Sequence, residues 1–212
     1  MLWLEILPSG PFQTNACLLA AEESDEAILI DAPPECYSEV QRILRAAGRK
    51  LAAVLITHPH FDHTLDAGMF SRDGIPVYAH PDAVRDIARP ETLGLIPTPE
   101  GGFPGAEVTN TIMGGELLRL AGLEISILEV PGHSPGSLAF SVPGEKVCFP
   151  GDVIFQGSVG RTDLPGGDFA LLAESIRTAI YSLDDETVLY PGHGEETQVG
   201  REKEFNPFVP LT

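Results

Sequence analysis

Positive charge is scarce in this chain of 212 residues: 13 Lys and Arg stand against 31 Asp and Glu, a formal net charge of -18. Affinity for nucleic acid rests largely on Lys and Arg neutralising phosphates, so nucleic acid and anionic membrane surfaces are not expected partners. Long hydrophobic runs are also missing. No stretch approaches the ~18 apolar residues of a membrane span. Cysteine is rare as well. Cys17, Cys36 and Cys148 are odd in number, widely spaced and mostly set in apolar runs, which suits reduced core residues better than a disulfide framework. Met1 to Leu7 is apolar but has no basic segment, contains Glu5 and stops at Pro8-Ser9-Gly10, so it does not resemble a secretory signal. A cytoplasmic location is the expectation. What the chain does have is 43% hydrophobic content, enough for a sizeable core in one domain spanning residues 1–212.

The apolar runs alternate with turn signals in an α/β pattern. Trp3 to Leu7, Asn15 to Ala20 and Ala27 to Ile30 read as strands. Tyr37 to Ala47 places Val40, Ile43, Leu44 and Ala47 at helical spacing, with Gly48 as the stop. Leu51 to Ile56 is then a buried strand, and strand, helix, strand in this order predicts a parallel crossover. Short helices over Leu65 to Phe70 and Asp82 to Ala88 flank a strand at Ile75 to Ala79. Residues 89–110 break the pattern with four prolines and four glycines. A loop of that length is usually functional, and the expectation is a lid over the site. Leu117 to Leu120, Leu123 to Val130, Ser137 to Val142 and Lys146 to Phe149 read as further strands. Asp168 caps a helix with an apolar stripe of Phe169, Leu172, Ala173, Ile176, Ala179 and Ile180. Thr187 to Tyr190 is the last strand.

The six histidines are unevenly distributed. Three fall in Thr57-His58-Pro59-His60-Phe61-Asp62-His63, directly after an apolar strand. His133, in Pro131-Gly132-His133-Ser134-Pro135-Gly136, and His193, in Pro191-Gly192-His193-Gly194, each follow a strand as well. The helical zincin pattern, which needs an intervening Glu, is absent. An extended segment sends residues i and i+2 to one side, and Pro59 biases His58 towards that conformation. His58 and His60 can then share one metal while Asp62 and His63 turn towards a second. His80, in a segment without another ligand, reads as structural.

The series His58-x-His60-x-Asp62-His63, His133, Asp152 in Pro150-Gly151-Asp152, and His193 resembles the metallo-β-lactamase superfamily, in family order. The resemblance implies an αββα four-layer sandwich with a dinuclear site at one edge. It implies that His58, His60 and His133 hold the first metal, that Asp62, His63 and His193 hold the second, and that Asp152 bridges them. Two divalent ions roughly 3.5 to 4 Å apart then activate a shared water for attack on a carbonyl. Asp62 is a candidate to orient the attacking hydroxide, and zinc is the first expectation for the metal, with iron and manganese equally compatible with the ligands. Asp31 is a candidate acceptor for a ligand imidazole or a plain turn-forming residue.

Asp152 stands where the commonest true β-lactamases carry cysteine, which argues against antibiotic hydrolysis. The segment from Gly151 to Asp163, with Gly160-Arg161-Thr162-Asp163, resembles glyoxalase II and its short bacterial relatives, as do Glu202-Lys203 and Asn206-Pro207-Phe208 after the last histidine. That implies hydrolysis of a small-molecule thioester, with glutathione thioesters as the leading class and Arg161 helping to hold the thiol part. Two departures weaken the glutathione element. Glyoxalase II has an acidic residue and then a tyrosine where this chain has Gly194 and Glu195, and it has a C-terminal helical domain for which residues up to Thr212 leave no room. The rival is an iron-dependent persulfide dioxygenase, which uses the positions of His58, His133 and Asp152. A lactonase or a non-catalytic metal-binding module ranks lower.

Overall fold

The computed structural model describes residues 1–95 and 97–211. Its first half lays down β1 (Leu2–Ser9), β2 (Thr14–Ala21), β3 (Glu26–Ile30), α1 (Tyr37–Ala47), β4 (Lys50–Leu55), α2 (Phe61–Thr64), α3 (Ala67–Arg72), β5 (Val77–Ala79), α4 (Val84–Ala88) and β6 (Asn110–Thr111). The second half adds β7 (Leu117–Leu120), β8 (Leu123–Glu129), β9 (Leu138–Val142), β10 (Val147–Gly151), β11 (Ile154–Phe155), β12 (Ser158–Val159), α5 (Phe169–Ser175), β13 (Val188–Pro191), β14 (Thr197–Gln198) and α6 (Val199–Phe205).

Two six-stranded sheets result, ordered β1-β2-β3-β4-β5-β6 and β14-β13-β10-β9-β8-β7. The predicted crossover through α1 is present: β3 and β4 pair in parallel. Helix α1 ends on Gly48 in the left-handed region, φ 67°, where its amide reaches back to the Arg45 carbonyl. In the second sheet β10 and β13 are the parallel pair. Side-chain alternation assigns the faces. Leu138, Phe140 and Val142 of β9, Val147 and Phe149 of β10, and Ile125 and Ile127 of β8 point into the main core, which takes in both faces of the first sheet: by register Leu18 and Val54 share one face, and Ile28 and Leu55 the other. The intervening Ala139 and Cys148, with Leu189 of β13, face outward onto Leu172, Ile176, Ile180 and Val199 of the helical layer. On the far side of the first sheet, Val40 and Leu44 of α1 and Phe70 of α3 complete the same main core. This is the αββα arrangement.

Two readings need correction. The metal-motif segment is not extended throughout: His60 is (φ -60°, ψ 142°), but Phe61 to Thr64 close one helical turn, which starts the helical region earlier than Leu65. The predicted stripe helix is α-helical only to Ser175 and continues as a π-helix from Ile176 to Ile180; Phe169, expected in the stripe, is 46% exposed. The wider spacing of a π turn still brings Ile176 and Ile180 into the outer core. The 89–110 segment holds one short 3-10 turn, Pro90–Leu93, before β6; Ile96, within it, lies outside the described residues. The cysteines are free and buried. Among the described residues, no helix is long and apolar enough to cross a membrane.

The two sheets are stitched together at one edge. Leu138 N–H donates to the Thr57 carbonyl at 2.8 Å, and Asn15 N–H donates to the Gly192 carbonyl at 2.8 Å. The Asn15 side-chain amide donates to the carbonyls of Pro191 (2.9 Å) and Gly194 (3.0 Å). The ends of β3, β4, β8, β10 and β13, with the start of β2, therefore meet at a single rim.

Candidate metal centre

That rim collects every histidine of the motif series. His58 and His60 follow β4, His63 lies on α2, His133 follows β8, Asp152 follows β10 and His193 follows β13. His58, His60 and His133 offer ligand nitrogens within 4.8 Å of one another, as do the ligand atoms of Asp62, His63 and His193, and those of His58, His63 and Asp152. Asp152 Oδ1 is 3.3 Å from His63 Nε2, while its Oδ2 is 3.4 Å from His193 Nε2 and 3.9 Å from His133 Nε2. Its two oxygens thus face both groups. His80 stands apart: its Nδ1 accepts from the Asp82 amide at 3.1 Å and caps a 3-10 turn.

The hydrogen-bond network assigns most of the tautomers. A carboxylate only accepts, so the Thr57 hydroxyl donates to Asp31 Oδ2 (2.7 Å) and accepts from His58 Nδ1 (3.0 Å). His63 Nδ1 donates to Asp31 Oδ2 at 2.7 Å, His133 Nδ1 to the Arg161 carbonyl at 2.7 Å, and His193 Nδ1 to the Phe12 carbonyl at 3.0 Å. In its neutral form each of these four rings leaves an Nε2 lone pair pointing inward. His58 Nε2 and His133 Nε2 are 3.3 Å apart, with His60 Nδ1 at 3.1 and 3.0 Å from them. One proton on His60 can serve only one of those neighbours. Among the described residues, His63 Nε2 and Asp152 Oδ1 are the buried side-chain polar atoms with no partner. Acceptors converging on acceptors in a buried site require cations, and imidazole with carboxylate is a donor set that divalent transition ions accept. The residues present therefore fit metal ions.

Charge divides the two groups. Burial pushes the His58 and His133 imidazoles below their ordinary range and takes His60 down to about 3. Burial acts the same way on His63 and His193, but the carboxylates win: Asp152 and Asp31 hold His63 well above its usual value, and Asp152 and Asp62 push His193 up to about 9. Burial opposes ionisation of Asp152, yet His63 and His193 hold its carboxyl well below the usual range. The three-histidine group is a neutral nitrogen site. The Asp62–His63–His193 group, with Asp152 and Asp31 beside it, is carboxylate-rich and keeps its imidazole protons when no cation is there.

Several supporting groups left no signal in the sequence. The Arg161 and Phe12 acceptors are backbone carbonyls, which any residue supplies. Thr14 donates to Asp62 Oδ2 at 3.2 Å and bridges to His193 across the sheet edge. Asp31, one of two open readings above, is an acceptor for a ligand ring; it sits at φ 56°, a conformation Asp tolerates better than most residues. Gly192 is required by close approach, because a Cβ there would collide with Asp152 Oδ1 and His63.

A cleft of about 380 Å³ opens beside the two groups, walled by Phe12, Phe61, Leu95 and Leu164, with Arg161 at its edge. The Arg161 guanidinium is paired to Asp163 through two bonds of 2.7 and 2.8 Å. Residues 9–193 match the metallo-beta-lactamase superfamily model. The chain belongs to that superfamily. Across 97% of both chains it is 35% identical to the hydroxyacylglutathione hydrolase GloC of Haemophilus influenzae. Among solved structures it is similar to BLEG-1, a B3 metallo-β-lactamase (TM-score 0.89, 33% identity, covering 98% of this chain and 99% of that one). TTHA1623 in a di-iron-bound form gives a TM-score of 0.79 and 34% identity, covering 97% of this chain and 100% of that one. ETHE1 from Myxococcus xanthus gives 0.81 and 25%, covering 99% and 85%.

Two outcomes are expected. Asp152→Asn loses metal from both groups, since a neutral amide bridges two cations poorly; elemental analysis finding wild-type metal content would refute the shared role. Metal binding to the Asp62–His63–His193 group releases protons at pH 7, and its affinity rises with pH from 7 to about 9, the range below the His193 deprotonation of the metal-free protein. Affinity at the three-histidine group stays nearly flat over that range. Calorimetric titrations in buffers of different ionisation heat measure this, and metal uptake without proton release would contradict it.

Proposed function

We propose that this chain is a dinuclear metal-dependent hydrolase of thioesters, of the glyoxalase II type, with a hydroxyacyl thioester as the substrate class. The observation that carries the reading is the Asp152 carboxylate, which lies between the two ligand groups beside a cleft, 3.3 Å from His63 and 3.4 Å from His193 on one side and 3.9 Å from His133 on the other. Likeness over the full length to a hydroxyacylglutathione hydrolase supports the thioester.

His58, His60 and His133 would hold one ion and Asp62, His63 and His193 the other, with Asp152 shared between them. When bound, the ion pair supplies a water with lowered pKa and polarises the carbonyl under attack. Asp62, held by the Thr14 hydroxyl, orients that water and takes its proton. Phe12, Phe61, Leu95 and Leu164 enclose the acyl and thiol carbon chains and keep bulk water out. A thiol leaving group, with a pKa near 8.5, departs without a strong general acid. Arg161 holds an anionic group on the thiol part, exchanging Asp163 for it. Residues 89–110 act as the lid, with Leu95 against the cleft.

An iron-dependent persulfide dioxygenase is the second reading, favoured by the likeness to ETHE1. The completed set of seven ligand residues, where three would serve one iron, favours the hydrolase. A panel of S-lactoylglutathione, a neutral thioester, a lactone, a β-lactam and glutathione persulfide, run with an oxygen electrode and metal analysis, separates these readings. Thioester hydrolysis without oxygen uptake is expected. One iron per chain with stoichiometric oxygen consumption, or β-lactam turnover above thioester turnover, would overturn it. Arg161→Ala should raise KM for anionic thioesters several-fold more than for neutral ones and leave metal content intact, because the carbonyl that holds His133 survives the substitution. Equal KM values in the two enzymes would make the side chain structural.

A further inference from the structure

Glu202 is fully buried and plays no part in the chemistry above. A buried carboxylate is costly unless its oxygens are matched by donors, and here four donors meet it. Thr197 Oγ1 donates to Oε1 at 2.6 Å and Arg201 pairs with the same oxygen at 2.6 Å. Asn206 Nδ2 and the Gly157 backbone N–H donate to Oε2, each at 2.9 Å. Asn206 Nδ2 also donates to the Ser158 carbonyl at 3.0 Å. Gly157 and Ser158 form the tip of the hairpin made by β11 and β12. Helix α6 thus grips this hairpin through the side chains of Glu202 and of Asn206, the residue that caps its C-terminal end. The grip is anchored behind by Tyr181, whose hydroxyl donates to the Glu202 carbonyl at 2.9 Å.

The hairpin joins two parts of the metal centre. Asp152 lies two residues before β11. After β12 comes Gly160, whose N–H donates to the Val153 carbonyl at 3.1 Å. A Cβ on Gly160 would collide with the Asp152 carbonyl and approach His133 Nδ1 to 3.1 Å. Arg161 follows, and its carbonyl fixes the His133 ring. A two-stranded ribbon of four paired residues is marginal by itself, so its position is set by what holds its tip.

We propose that Glu202 and Asn206 are positioning residues for the metal centre, clamping the 154–159 hairpin so that residues 152–161 present the Asp152 carboxylate and the Arg161 carbonyl at the right places. The proposal rests on the metal reading of the site and is independent of the substrate. The shift of a ligand's supporting partner typically weakens metal affinity by roughly 10- to 100-fold. Loosening the clamp therefore lowers affinity at the group containing His133, and broadens the visible spectrum of the cobalt-substituted protein.

The test uses the whole chain as Asn206→Ala and Glu202→Gln, with Val40→Ala as a destabilised control far from the hairpin. Zinc and cobalt affinities are measured by competition with a chelator, beside melting temperatures of the metal-free proteins. Tenfold or weaker binding and an altered cobalt spectrum in the clamp variants, with the control unchanged, support the proposal. Equal affinities at comparable loss of melting temperature would reduce the clamp to a fold-stabilising contact. Failure of the wild-type chain to bind either metal would instead sink the metal reading. Hydrogen exchange on the wild-type protein stands even where a variant does not fold: the Gly157 amide is expected to exchange as slowly as the α6 amides, and exchange at a loop rate would overturn the clamp.

Discussion

Four imidazoles at one rim of this fold each use their outer nitrogen on a fixed acceptor, and this constraint shapes the rest of the site. With the outer N–H committed to Thr57 Oγ1, Asp31, the Arg161 carbonyl or the Phe12 carbonyl, the inner nitrogen of each ring, once neutral, can present only a lone pair. Rings arranged this way repel one another's acceptors and cannot satisfy themselves. A hydrophobic substitution would relieve the conflict at lower cost in stability, so the arrangement makes physical sense as a cation site.

The two-sheet architecture supplies the convergence. Parallel pairs β3–β4 and β10–β13 send their ends in common directions, and chain turns after those ends carry Asp31, His58, Asp152 and His193 to one edge. Two backbone bonds between the sheets, Leu138 to Thr57 and Asn15 to Gly192, fix the spacing. The large buried side chains between the sheets, Phe140 and Phe149 among them, hold that edge rigid, because close-packed interiors transmit small shifts instead of absorbing them. A ligand set drawn from four separate chain segments depends on that rigidity.

Much of this was legible in the sequence because apolar periodicity and ligand chemistry are both side-chain signals. Tyr37 to Ala47 with its Gly48 stop, the strand before His58, and the ligand-bearing turns all carry such marks. The helical turn at Phe61–Thr64 was not legible, because four residues are too few to show a period. Nor was the π turn at Ile176–Ile180, where packing on the second sheet overrides local spacing. The acceptors at Phe12 and Arg161 are carbonyls with no residue signature, and the hairpin at 154–159 is too short to announce itself. Asp31 was ambiguous because turn-forming and ring-orienting aspartates look alike until the partner, 32 residues away, is placed.

The unequal charge of the two groups sets an order of filling. At neutral pH the rings of His58, His60 and His133 are unprotonated, since burial depresses all three, and a cation entering there displaces no proton. The Asp62–His63–His193 group must first give up the protons its carboxylates retain. An ion in the three-histidine group lies within reach of Asp152 Oδ2 and draws off part of the charge that stabilises those protons. It makes them easier to lose and also repels a second cation. Asp152 lies between the groups, with Oδ2 3.4 Å from His193 Nε2 and 3.9 Å from His133 Nε2, and its negative charge offsets part of that repulsion. Protonation of the Asp62–His63–His193 group and cation binding at the three-histidine group would therefore be coupled through this one carboxylate.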